Sequence, residues 1–389
     1  MPELPVVLDA RVVTGVGGGP EKTILNSPRF LRPAGYRMLC AYMNPPGDPG
    51  FDQLMRRADA LEATLVSVPD RGPWDLGVLG HMLRICRRER VAIWHGHDYK
   101  SNLIGLLLRP FWPMRLVTTV HGWVHRTRRT PLYYAIDQLC LPRYERVICV
   151  SDDLFSRCLS LGVPPDRCML IENGIDTDQF ARRTDKAEAK RRLGIAPDRF
   201  VVGAAGRLSA EKGFDLLIRA LGALLESGRD LTLLVAGEGD ERARIEALIG
   251  ELSLGDRVRL MGFQADVLPL FEAIDVFALS SLREGLPNVV LEAMAIGVPV
   301  VATRIAGIHR LIREGENGLT VEPGSVDALA RAIGWLQDHP DSRVRLGSAG
   351  RESVESRHDF GARMRRMADV YDELLGLTAE ATTAGRSVS

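Results

Sequence analysis

The chain has 389 residues, more than one hydrophobic core absorbs, because single cores stop growing near roughly 250–300 residues. A composition of 46% apolar and 26% charged residues, with no low-complexity tract, excludes an intrinsically disordered chain. Fifty Lys and Arg offset fifty Asp and Glu, so no net field marks a nucleic-acid binder.

In chain order, short β-rich apolar runs alternate with longer helical patterns, the rhythm of parallel sheets covered by helices on both faces. Strands are predicted at Val6–Val13, Arg37–Ala41, Thr64–Val68, Val91–Trp94, Arg115–Val120 and Arg146–Val150. After Met169–Glu172, the turn signal Asn173-Gly174-Ile175-Asp176 and a charged segment around Arg182–Arg192 mark the exit from one domain and the entry to the next. The rhythm then restarts, with strands predicted at Phe200–Ala205, Leu231–Ala236, Val258–Met261, Val276–Leu279, Val300–Thr303 and Leu319–Val321. This predicts an α/β chain of two Rossmann-like, doubly wound domains, residues 1–175 and 176–359. Such sheets bind ligands at the carboxyl ends of their strands, so two of them facing each other are expected to enclose a cleft. The tail, about 360–376, carries Met364, Met367, Val370, Leu374 and Leu375 at helical spacing and is expected to pack back on the first domain.

The richest stretch follows the fourth strand of the second domain: Ser280-Ser281-Leu282-Arg283-Glu284-Gly285-Leu286-Pro287-Asn288-Val289-Val290-Leu291-Glu292. Pro287 and Asn288 signal a helix start, whose unpaired amides attract a phosphate. A loop carboxylate at Glu284 can accept hydrogen bonds from sugar hydroxyls, and Glu292 can hold a ribose diol. The same acids also suit a helix start simply by favouring its dipole. The first strand of this domain ends in Gly206-Arg207-Leu208-Ser209-Ala210-Glu211-Lys212-Gly213. Two cations at a strand end before a helix are placed to neutralise a diphosphate, Arg207 as a planar fork and Lys212 as a point charge.

This combination resembles glycosyltransferase family 4, over nearly the whole chain and most specifically from Val201 to Glu322. Its sharpest element is the pair Glu284 and Glu292, followed by Ala293-Met294-Ala295-Ile296-Gly297-Val298-Pro299-Val300-Val301. The resemblance implies the two-domain GT-B architecture and a retaining transfer of sugar from a nucleotide diphosphate donor, with no metal and no cofactor. It implies that Glu284 contacts the donor sugar, Glu292 the ribose, and Arg207 and Lys212 the departing diphosphate. Gly285, Leu286, Pro287, Asn288 and Val289 then line the phosphate site, and Gly262 and Phe263 meet the base through backbone groups. Many members carry Gly where this chain has Asn288, a departure that bears on sugar preference. In the first domain, Gly15-Val16-Gly17-Gly18-Gly19-Pro20-Glu21 follows the opening strand. Glycine lets backbone approach a ligand, and the resemblance sets Gly17, Gly18 and Gly19 over the donor phosphates. By the same resemblance His121, at the end of the fifth strand, stands near the reacting sugar.

Rival readings attach to particular residues. His95-Gly96-His97-Asp98 has the look of a metal-ligand cluster and would suggest a metal-dependent hydrolase. Alternation along the strand is read as pointing His95 and His97 to opposite faces, which argues against it. Asp176-Thr177-Asp178 resembles an acid-x-acid metal motif but follows a turn signal and reads as turn chemistry. A sugar-nucleotide epimerase or hydrolase, or a non-catalytic sensor, could share the two-domain fold. Between Arg84 and Arg146, twelve Lys or Arg meet four Asp or Glu, either solvated helix faces or an anionic partner. Within it, Val124 to Tyr134 mixes Arg126, Arg128 and Arg129 with aromatics, as a segment docking on anionic lipid would. Six cysteines without a C-x-x-C pair fit reduced thiols. With no apolar run of membrane-spanning length and no signal-peptide core, a cytoplasmic enzyme is expected, reaching a glycan, lipid-linked or small-molecule acceptor from the cytosol and touching the membrane peripherally at most.

Overall fold

A computed structural model describes residues 3–122, 130–284 and 286–377. Gly285 and most of the basic segment after Gly122, including Arg126, Arg128 and Arg129, lie outside the described residues. The chain divides into two compact units, Met1–Asn173 with Gly361–Ser389, and Gly174–Phe360.

The first unit holds β1 (Val6–Val12), β2 (Arg37–Asn44), β3 (Leu65–Pro69), β4 (Val91–Gly96), β5 (Arg115–Val120), β6 (Arg146–Cys149) and β7 (Cys168–Leu170). They form one sheet in the order β3-β2-β1-β4-β5-β6-β7, all parallel. The second unit repeats the plan with β8 (Phe200–Ala205), β9 (Leu231–Ala236), β10 (Val258–Gly262), β11 (Val276–Leu279), β12 (Val300–Thr303) and β13 (Leu319–Val321). Their order is β10-β9-β8-β11-β12-β13, again parallel. Both are doubly wound sheets in which strand order reverses beside the first strand, between β1 and β4 and between β8 and β11. A crevice opens at such a reversal because the flanking connections leave to opposite faces.

Strands buried on both faces need continuous apolar side chains, which Leu231–Ala236 (LTLLVA) supplies. Helix Phe214–Glu226 buries Phe214, Leu217, Ile218, Leu221 and Leu224, one stripe at helical spacing, each side chain contributing about 1.5–3 kcal/mol. Helix Phe360–Leu375 buries Met364, Met367, Val370 and Tyr371. Arg363 Nε donates to Glu172 O at 3.1 Å and Arg366 Nη2 to Leu170 O at 2.7 Å, which fastens the helix beside β7 of the first unit.

Among the described residues, several cations of the stretch between Arg84 and Arg146 have acidic partners. Arg109 and Arg115 share Glu145, Arg146 reaches Glu373, and Arg90 reaches Glu3. Lys100 is buried, its Nζ donating to Asp70 Oδ1 at 2.6 Å and Gly72 O at 2.5 Å. All six cysteines are buried free thiols. Among the described residues no helix is long and apolar enough to cross a membrane.

Candidate active site

In the second unit the loops after β8 and β11, one on each side of the strand reversal, are tied together. Leu282 N donates to Glu211 O at 2.8 Å and Ser280 Oγ to Lys212 O at 3.0 Å. Such closeness requires Gly213, whose φ is +59° and on which a Cβ would lie 2.4 Å from Ser280 O. The result is an ion pair between Lys212 Nζ and Glu284 Oε1, with Ser281 Oγ donating to the same carboxylate oxygen at 2.8 Å. Both charged side chains are only partly buried, so the pair can exchange partners with an incoming polar ligand without breaking a sealed core.

Arg207 stands on the same loop, but its side chain turns to Glu211, Nη2 to Oε1 at 3.3 Å. Helix Asn288–Ala295 begins after Pro287 in extended backbone, and no side chain among the described residues caps it. Val290 N already donates to Pro287 O at 3.1 Å, and the positive end of the backbone dipole at this start favours an anion. Leu286 and Pro287 are buried, Asn288 and Val289 are half-buried, and Glu292, one turn further on, is buried. The loops after β8, β9 and β10 are laced by backbone bonds. Gly206 N donates to Ala236 O at 3.0 Å, Leu208 N to Glu238 O at 2.9 Å and Gly237 N to Gly262 O at 2.8 Å. Gly262 takes φ +71°, and Phe263 beside it is half exposed.

In the first unit the corresponding edge is built from histidine. Asp9 on β1 lies in register with His95 on β4. His97 Nε2 bonds Asp9 Oδ1, and His97 Nδ1 lies 3.1 Å from His121 Nε2. His95 Nδ1 meets Tyr371 OH at 2.7 Å and His95 Nε2 meets Thr119 Oγ1 at 2.8 Å. Asp9, His95 and His97 are buried, whereas His121 is half-buried at the carboxyl end of β5. Burial and the field of the neighbouring histidine push His95 down to about 3. Burial, Arg11 and Arg363 hold His97 well below the ordinary imidazole range, and burial with His97 and Arg11 does the same for His121. Burial lifts Asp9 to about 6, against the pull of His95 and Arg363. The imidazoles are therefore neutral at neutral pH.

Several expectations change. Residues two apart on a strand share a face, so His95 and His97 project together, their rings stacked at 4.4 Å with planes 19° apart. Asp98 does not join them: its carboxylate caps helix Tyr99–Leu108, accepting from Lys100 N at 3.0 Å, Ser101 N at 2.9 Å and Val12 N at 2.7 Å. Asp9 takes its place, and one ligand atom from each of Asp9, His95 and His97 falls within 4.8 Å of the others. Lone pairs of near-parallel stacked rings run side by side instead of converging on a point, so the cluster is shaped as a hydrogen-bonded chain. Sequence reasoning missed Asp9, although a carboxylate within the apolar run VVLDARV was its signal.

The glycine turn also differs. Gly18 precedes helix Gly19–Leu31, and Glu21 reaches back so that Gly18 N donates to Glu21 Oε2 at 2.5 Å. Glu21 is in turn paired with Arg11. Although its burial raises the carboxyl's pKa, Arg11 and the Gly18 amide hold it below the usual range. That helix start thus carries its own anion, and the Gly18 amide expected to face donor phosphate is already engaged. Gly17, at φ +73°, lies so close to Glu21 that a Cβ would approach its Cγ to 2.8 Å. Asp176 accepts from Asp178 N and Gln179 N, both at 3.1 Å, an Asx turn.

Residues 17–179 match the family model for Glycosyltransferase Family 4, and residues 185–353 that for Glycosyl transferases group 1. The chain belongs to glycosyltransferase family 4. It is 29% identical over 320 residues to a D-inositol 3-phosphate glycosyltransferase of Corynebacterium glutamicum, covering 76% of each chain. It is 39% identical over 229 residues to the lipopolysaccharide core biosynthesis glycosyltransferase LpsE of Rhizobium meliloti, covering 59% of this chain and 63% of that one. The fold is that of Anabaena HepE, solved in complex with UDP-glucose, at TM-score 0.81 and 22% identity over 94% of this chain and 99% of that one. In this glycosyltransferase the strand reversals thus carry two different devices, a charged pair in the second unit and a neutral histidine array in the first.

Proposed function

We propose that this glycosyltransferase moves a sugar from a nucleoside diphosphate donor, with uridine as the base, to a hydroxyl of a glycan, lipid-linked or small-molecule acceptor, retaining the anomeric configuration. The observation that carries the reading is the pairing of Lys212 with Glu284 at the β8/β11 reversal, next to the start of helix Asn288–Ala295. In this reading Glu284 exchanges Lys212 for sugar hydroxyls when donor enters, and the released ammonium turns to the diphosphate together with Arg207 and the helix amides. Gly285, Leu286, Pro287, Asn288 and Val289 line the phosphates, Glu292 holds the ribose, and Gly262 and Phe263 border the base. UDP-glucose bound by the fold relative HepE supports the choice of uridine.

Transfer begins as the bond from the anomeric carbon to the β-phosphate oxygen lengthens and the electron pair leaves with the diphosphate. Lys212, Arg207 and oriented peptide dipoles take up that charge, the kind of preorganised stabilisation worth about 10²–10³ in rate for a single donor group. The acceptor oxygen bonds the carbon from the face the phosphate leaves, and its proton passes to a diphosphate oxygen. Since the protein supplies the positive field, neither metal nor cofactor is assigned a part. His121 of the first unit meets the sugar, and Gly17, Gly18 and Gly19 contribute shape more than amides, because Glu21 already occupies Gly18 N. The enzyme works in the cytoplasm, with any membrane contact peripheral.

The test is mass analysis of products from a panel of nucleotide sugars, with and without a mixed acceptor fraction and with and without chelator. Acceptor-dependent release of nucleoside diphosphate that survives chelation is expected. Release that ignores acceptor would make the enzyme a hydrolase, an altered sugar still attached to nucleotide would make it an epimerase, and loss of activity on chelation would restore a metal to the mechanism.

A further inference from the structure

Three side chains, one on β1 and one just past the carboxyl end of each of β4 and β5, form a single hydrogen-bonded line: Asp9 Oδ1 to His97 Nε2, then His97 Nδ1 to His121 Nε2 at 3.1 Å. The strand order β1-β4-β5 sets them side by side. A neutral imidazole has one N–H and one lone pair, so whatever one nitrogen does fixes the other. An ionised carboxylate accepts only, so Asp9 makes His97 Nε2 the protonated nitrogen and leaves Nδ1 as a lone pair. That lone pair requires a donor, so His121 must carry its proton on Nε2. His121 Nδ1 is then the lone-pair nitrogen, and it belongs to the most exposed ring of the three.

We propose that Asp9 and His97 are positioning residues that lock His121 in its Nε2–H tautomer, so that Nδ1 accepts a hydrogen bond from a hydroxyl of the transferred sugar. This rests on the reading that His121 meets that sugar. It narrows the donor class, because a lone pair welcomes a hydroxyl and repels a carboxylate or phosphate at the same place. Neutral hexoses are accepted, and a sugar bearing an acidic group at that position is refused. A donor lacking the hydroxyl leaves Nδ1 without its partner, and sites built to bond a substrate hydroxyl discriminate strongly against analogues without it. The surroundings keep the two imidazoles of the line neutral. Arg363 and Tyr371 from the terminal helix, Cys40 and Tyr42 from β2, His95 from β4 and the Arg11–Glu21 pair are the titratable groups around it.

The direct test is long-range proton–nitrogen correlation NMR on histidine-labelled wild-type enzyme at pH 7.5, with His121 assigned through His121→Asn. His121 is expected to show a protonated Nε2 and an unprotonated Nδ1. A protonated Nδ1, or an imidazolium, would overturn the proposal without any appeal to activity. Asp9→Asn should invert the line, since an asparagine amide can donate where the carboxylate accepted. Both histidines would then shift their protons to Nδ1, and turnover should fall about a hundredfold or more while the donor KM changes little, a wrong tautomer costing about 10⁴ where the histidine is itself the general base. Unaltered tautomers together with unaltered turnover in a folded Asp9→Asn would count against it. His121→Ala with wild-type turnover would remove the reading beneath the proposal and leave the NMR result standing, so the two failures are distinguishable.

Discussion

The two units place their working residues at the same point of the same topology, yet they treat charge in opposite ways. The second unit sets formal charges, Lys212 and Glu284, in a partly exposed pair that a ligand can divide. The first unit buries its titratable groups so deeply that the imidazoles cannot charge, and it stores direction, through tautomers, instead of charge. A leaving diphosphate develops full negative charge and needs cations, whereas a neutral sugar needs only oriented donors and acceptors. The same strand reversal thus carries two devices suited to different chemistry.

This contrast can be broken at several points. Glu284→Ala leaves Lys212 without its counter-charge and the sugar without an acceptor, and turnover is expected to drop by about two orders of magnitude while nucleoside diphosphate binds as tightly as before or tighter. Calorimetry with the diphosphate beside a steady-state assay separates those two outcomes. Weakened diphosphate binding would show that Glu284 acts on the nucleotide side.

Gly237→Ala probes the lacing of the donor loops, because its Cβ would lie 1.8 Å from Gly206 O at φ +152°. Since that contact is backbone, relief requires the loops to part, and a stability loss of about 2–3 kcal/mol is expected in urea unfolding. An unchanged midpoint would mean that the loops are not packed as described.

Acid should act on the first unit. An unfolded His95 protonates as pH falls through 6.5, the folded one only near 3, and His97 and His121 shift in the same direction. The folded state then binds fewer protons, so stability declines as pH drops below 6.5. Asp9 opposes this, because between 3.8 and about 6 its folded form holds a proton that the unfolded form has lost. Three groups outweigh one, and each net proton contributes about 1.4 kcal/mol per pH unit. Denaturant midpoints measured from pH 7 down to 4 should fall, and a His95→Asn variant should flatten the fall. A rising midpoint would mean that the imidazoles are charged in the fold.

The smallest effect belongs to Arg207→Ala. Its ion pair with Glu211 is 47% and 34% exposed, and solvent-screened pairs of that kind contribute under about 1 kcal/mol. Stability should barely move while nucleoside diphosphate affinity weakens about tenfold, the loss assigned to one charge-assisted contact. A large loss of stability with unaltered affinity would make Arg207 structural.

Much of the fold was legible because parallel strands advertise themselves. Runs such as Arg115–Val120 and Phe200–Ala205 begin and end where sequence patterning sets them, since only β-branched and apolar residues suit a strand covered on both faces. The loop carrying Glu284 and the loop carrying Lys212 were legible for the same reason: each follows a recognisable strand and precedes a helix start. The histidine line was not. Asp9, His97 and His121 are far apart in the chain and meet only because β1, β4 and β5 are neighbours, an order that periodicity does not encode. A parity slip hid the rest, because His95 and His97, two residues apart, share a face and stack. Glu21 was visible as an acid in a first helical turn, but its capture of Gly18 N depends on a backbone path that glycine leaves open until the structure fixes it.

The most direct test of the account is Lys212→Ala, assayed for sugar transfer and for nucleoside diphosphate affinity, with unfolding midpoints confirming that the variant is intact. Turnover at least about a hundredfold lower with weakened diphosphate binding is predicted, because one preorganised cation at a leaving group carries that much. Turnover and affinity close to wild type in a fully folded variant would contradict the claim that this lysine receives the charge released as the sugar departs.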